Sequence, residues 1–128
     1  MQIIDETIDN IKVFYPLESV APLEQILFID IETTGFTART SKLYLIGCLY
    51  YRNGWKSRQF FADEYSDEMT VVEEFFDFAK SFKVLIHYNG NNFDIPYLTA
   101  KSREFSLSYD FDEFVVIDIY RRISPYKN

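Results

Sequence analysis

A chain of 128 residues, 48% hydrophobic and 26% charged, has the length and balance of one globular domain. Its apolar runs, such as Ile26–Ile29 and Val115–Ile117, fall far short of the roughly 20 residues that cross a bilayer, and Met1–Asp9 carries acids without the basic start of a secretory signal. The single cysteine, Cys48, excludes an internal disulfide and a cysteine-based zinc site, so the setting expected is soluble, reducing and cytoplasmic. Aromatic residues reach 19%, enough for a large core in a short chain, and the net charge is −7. That acidity argues against broad binding of phosphate backbones, but not against a carboxylate site that gathers divalent cations.

Taken in chain order, residues 1–24 read as a helix or extended arm: Ile4, Ile8 and Ile11 have helical spacing, punctuated by Pro16 and Pro22. Residues 25–128 read as one domain. Ile26–Ile31 is a continuous apolar run suited to a central strand buried on both faces. A polar, glycine-containing loop, Glu32–Lys42, leads to strands over Leu43–Tyr51 and Trp55–Ala62, joined by Arg52-Asn53-Gly54, where Asn-Gly suits a tight hairpin. A helix is expected next, started by a capping box at Thr70–Glu73, with Val71, Val72, Phe75, Phe76, Ala79 and Phe82 on one face. Then come a strand over Val84–Tyr88, a helix over Phe93–Arg103 with Asn92 as N-cap and Pro96 in its first turn, and a strand over Phe114–Ile119. The order β-β-β-α-β-α-β specifies an α/β fold: a mixed five-stranded sheet with helices on its faces and right-handed, parallel βαβ crossovers.

Acids gather where this order ends its strands. Asp30 and Glu32 share one face of the Ile26–Ile31 strand, and like charges at that spacing repel unless a cation lies between them. Taken alone, the pair is also what a strand leaving for solvent carries. Thr33-Thr34-Gly35 follows at once, small residues that let a ligand approach the backbone. Asp94 stands at a helix start, where the dipole and free N–H groups favour its ionised form, whether as a cap or as a ligand. With Val84–Tyr88 placed beside Ile26–Ile31, all three acids fall at one sheet edge, where α/β folds bind ligands.

Phe28-Ile29-Asp30-Ile31-Glu32-Thr33-Thr34-Gly35 resembles the first motif of the DEDD, or DnaQ-like, 3′–5′ exonucleases of the ribonuclease H-like superfamily, and Asn89–Leu98 is similar to their second. The wording of both is nearest to the YprB-like predicted exonucleases, and the resemblance covers about residues 25–123. It implies phosphodiester hydrolysis with two Mg²⁺ or Mn²⁺ ions held by Asp30, Glu32 and Asp94, acting on the 3′ end of DNA or RNA. It further implies that Thr33, Thr34 and Gly35 line the terminal sugar and base, that Asn89 orients water or sugar, and that Phe93 packs beside the last base. The family's fourth carboxylate, on a helix after the last strand, has no counterpart: Tyr120–Asn128 contains no Asp or Glu, and Asp118 is the last acid. The expectation is therefore a domain without its C-terminal helix, from a longer protein, with weak or no activity by itself. Sheet surface bared in this way would favour homo-oligomers. An inactive nucleic-acid or protein binding module and a structure-selective endonuclease are the competing readings.

Among the other polar residues, Arg39, Lys42, Lys101 and Arg103 are candidates for phosphate contacts, His87 for a core position, and Asp63, Glu64, Asp67 and Glu68 for a solvated helix entrance. Tyr50, Tyr51, Phe60 and Phe61 fit cross-strand packing better than base stacking.

Overall fold

The computed structural model describes residues 1–9, 17–88 and 93–119. Its centre is β2 (Ile26–Thr33). Leu27, Ile29 and Ile31 face the main core, while Ile26 and Phe28 join a smaller apolar cluster on the other face, as a strand covered on both sides requires. β3 (Leu43–Tyr51) pairs antiparallel with β2, and β4 (Trp55–Phe61) pairs antiparallel with β3. Asn53 and Gly54 turn that hairpin with φ of 54° and 118°, the left-handed conformations that Asn-Gly supplies cheaply. β5 (Val84–His87) lies parallel to β2, and β6 (Val115–Asp118) parallel to β5.

The sheet has six strands rather than five. β1 (Gln2–Ile8) pairs antiparallel along the whole of β4, from Gln2 opposite Phe61 to Ile8 opposite Trp55, giving the order β1-β4-β3-β2-β5-β6. The spacing of Ile4 and Ile8 fits a strand as well as a helix, because four is a multiple of two. Edge pairing decides the matter, helped by a two-point hydrogen bond from Arg58 to Asp5 at 2.7 and 3.0 Å. Ile11 and Pro16 lie outside the described residues.

α1 (Glu68–Ala79) begins before the expected box at Thr70. A 3-10 turn over Tyr65–Asp67 runs directly into it, and the capping box is formed by Glu64 and Asp67 instead. All six apolar residues expected on one face are buried. They pack on β3 and β4 through aromatic pairs, Phe60 with Phe75 at 6.3 Å and Tyr50 with Phe82 at 5.8 Å, so these strand aromatics serve the core. α2 (Asp94–Glu104) follows β5, with Phe93 at its N-cap; Asn92, expected there, lies one position earlier and outside the described residues. Among the described residues no helix is long and apolar enough to cross a membrane.

One feature of the register positions the site. The parallel ladder between β2 and β5 stops at Phe28 opposite Ile86, whereas β2 continues to Thr33. On that side β2 runs on past its ladder with β5, at the carboxyl ends of the parallel strands, where α/β folds bind ligands.

Candidate active site

Asp30 and Glu32 lie on this overhanging end of β2, opposite Gly47 and Leu45 of β3, and both are exposed. The register shifts between Glu32 and Thr33, a bulge of the kind that re-aims side chains at a strand end. Asp94, the first residue of α2, is only 6% exposed. Burial, then the charge of Asp30, then those of Glu32 and Asp118, push its carboxyl up to about 6, against a hydrogen bond from the Ile31 backbone N–H. The helix terminus was expected to keep Asp94 ionised. One N–H and one helix end do not outweigh burial among three like charges.

The structure thus brings Asp94 within electrostatic reach of Asp30 and Glu32 at one crevice. Among the described residues no three His, Cys, Asp or Glu side chains close around a single point. The donor set nonetheless fits a hard divalent cation: all its donors are carboxylate oxygens, and Asp94, raised first by burial, also feels the like charges of Asp30 and Glu32, which such an ion would offset. Asp118 also acts on Asp94 through its charge. It is 5% exposed, opposite His87 in the β5–β6 register, with Oδ1 3.9 Å from His87 Nδ1. His87 is buried as expected. Asn89 lies outside the described residues.

The loop after β2 is tied to itself. Thr33 Oγ1 donates to Gly35 O at 2.7 Å, Thr34 N–H to Lys42 O at 2.8 Å, and Lys42 N–H to Thr34 Oγ1 at 2.9 Å. A side chain at Gly35 would be tightly placed, because its Cβ would stand 3.2 Å from Ser41 Cβ. Ser41 in turn is hydrogen-bonded to Tyr97 Oη at 2.7 Å and donates to Thr37 O at 2.6 Å. Phe36, at the loop's apex, is 93% exposed and meets Phe93 edge-on, ring centres 6.3 Å apart; Phe93 leans on Tyr97 at 5.3 Å. Phe36 was not singled out from sequence. The available signal was a lone aromatic residue in an otherwise polar loop directly after the first acidic motif.

Two expectations about charge are corrected. Lys101 makes no phosphate contact: it is 1% exposed, with Nζ 3.0 Å from Glu68 Oε2, 3.2 Å from Glu104 Oε2 and 2.9 Å from the Ser41 carbonyl it donates to. Glu68 is not part of a solvated entrance: it is 2% exposed and also accepts the Leu43 N–H at 2.6 Å. The spacing of neither residue distinguishes a surface charge from one half of a buried pair. Cys48 is inert in this setting, since burial pushes its thiol far up.

A family model, RNase_H_2 of the RNase H superfamily, matches residues 27–128. The chain belongs to the RNase H superfamily. Chains of known structure, 82 in number, also match. One is the family B DNA polymerase from the hyperthermophilic archaeon Pyrobaculum calidifontis, with TM-score 0.68 and 22% identity over 82% of this chain. The match spans 16% of the polymerase's own length, and at that identity it speaks for the RNase H-like fold. No curated protein matches the sequence.

Proposed function

We propose that this RNase H superfamily chain is a metal-dependent 3′–5′ exonuclease domain of the DEDD type. The observation that carries the proposal is the placement of Asp30 and Glu32 on the stretch of β2 that runs past the β5 ladder, with Asp94 buried at the start of the helix that follows β5. Asp30, Glu32 and Asp94 hold the divalent ions, Mg²⁺ or Mn²⁺. When bound, the ions supply an activated water and stabilise the departing oxygen of a phosphodiester. The remaining work belongs to the chain. Phe36 and Phe93 offer aromatic surface for the terminal base. Gly35 packs against Ser41, and the Thr33–Gly35 and Thr34–Lys42 hydrogen bonds hold the loop that carries Phe36. The burial of Asp94 strengthens the charge interactions of its own carboxyl, while Asp30 and Glu32 stay open to solvent.

The test is hydrolysis of 3′- and 5′-labelled single strands of DNA and RNA in Mn²⁺. Whatever activity the wild-type chain shows, however slow, should shorten strands from the 3′ end, and Asp30→Ala/Glu32→Ala should lose at least about a hundredfold in rate, as expected when electrostatic stabilisation of the transition state is removed. Equal rates in both proteins overturn the proposal. A second reading, a binding module without chemistry, draws support from the finding that among the described residues no three potential metal ligands close around one point. Strand binding that is indifferent to divalent ions would favour it.

A further inference from the structure

On a chain of net charge −7, basic side chains are scarce, and many of the described ones are engaged. Lys101 and Lys42 face Glu68, Arg58 faces Asp5, and Lys80 faces Asp77. Arg39 and Arg103 differ: both are exposed, and neither has a carboxylate within ion-pair distance among the described residues. They come from separate elements, the 3-10 turn Ala38–Thr40 and the last turn of α2, yet line one recess of about 300 Å³. Ala38 and Ala100 leave its floor open, and the one acid on its rim, Glu104, is answered by Lys101 at 3.2 Å.

The recess also has a defined place relative to the acids. Arg103 follows Asp94 by nine helical residues, a rise of about 14 Å. The loop after β2 runs along the same helix, with Phe36 against Phe93 at one end and Arg39 beside Arg103 at the other. A strand ending at the acids and passing Phe36 needs at least about four stacked nucleotides, at about 3.4 Å each, to reach this recess.

We propose that Arg39 and Arg103 form a backbone-phosphate subsite for a nucleic-acid strand whose 3′ end lies at Asp30, Glu32 and Asp94. This deepens the nuclease reading and rests on it. Guanidinium groups suit the role because each presents a planar fork that matches phosphate oxygens.

The experiment measures binding of labelled single-stranded oligonucleotides by anisotropy, with Ca²⁺ as the divalent ion, across a range of salt. Arg39→Ala/Arg103→Ala should weaken a ten-nucleotide strand roughly tenfold or more at about 0.1 M salt and reduce the salt slope by about 1.4, the single-strand value for two phosphates. A two-nucleotide competitor, too short to span the distance, should bind both proteins equally. Lys56→Ala/Lys83→Ala, which removes the same charge elsewhere, should leave the slope unchanged. Equal slopes in wild type and the arginine variant, or an equal loss in the lysine variant, overturn the subsite while leaving the nuclease reading in place. A wild-type chain that binds neither strand and cleaves none overturns both.

Discussion

Asp94 is the residue whose chemistry differs most from its ordinary behaviour. The folded chain retains its proton up to about 6, whereas an unfolded aspartate releases it near 3.9. The folded state therefore binds more protons in that window. The stability this contributes is full below the unfolded value and is lost as pH rises through 6. In chelator, the stability advantage of Asp94→Asn over wild type should grow between pH 4 and 7 and level off above, as read by thermal midpoints. A gap independent of pH would show that Asp94 titrates normally. Phe36 makes a different test, because its exposed ring contributes little to folding. Phe36→Ala should leave the melting temperature unchanged and cost about 1–3 kcal/mol in strand binding, the usual worth of one base–aromatic stack.

At the scale of elements, the buried Lys101–Glu68 pair joins α2 to the start of α1 and, through the Ser41 carbonyl and Leu43 N–H, to the strand and loop beside the acids. Lys101→Met leaves Glu68 buried without its main cation and should cost about 3–5 kcal/mol in denaturant unfolding. Lys101→Met/Glu68→Leu should recover a large part of that loss, because an apolar pair has no buried charge to satisfy. A double variant as unstable as the single one would contradict the pairing. This network was also the least legible part of the sequence. Glu68 lies in a run of acids and Lys101 near a helix end, and both look like solvated charges when only neighbours along the chain are considered. Strands and apolar helix faces were readable because periodicity is local: Leu43–Tyr51 and the six buried residues around α1 follow from it directly. Asp30, Glu32 and Asp94 were readable from their motifs. The elevation of Asp94 was not, since it arises first from burial in the folded chain and then from charges distant in sequence, Asp30, Glu32 and Asp118.

For the whole molecule, the order β1-β4-β3-β2-β5-β6 separates structural from functional edges. β1 covers β4 on one side, while the acids lie at the junction of β2, β5 and α2. Deleting residues 1–9 should lower the melting temperature and expose the β4 edge to aggregation, but leave divalent-ion affinity intact; a parallel loss of ion binding would tie the arm to the site. The account as a whole depends on three carboxylates acting as one ligand set. Titration of Mn²⁺ followed by the loss of its free-ion electron paramagnetic resonance signal addresses this most directly. Wild type should take up the ion at neutral pH, and Asp30→Ala/Glu32→Ala and Asp94→Ala should each abolish that uptake without unfolding. Undiminished uptake by these folded variants would contradict the account.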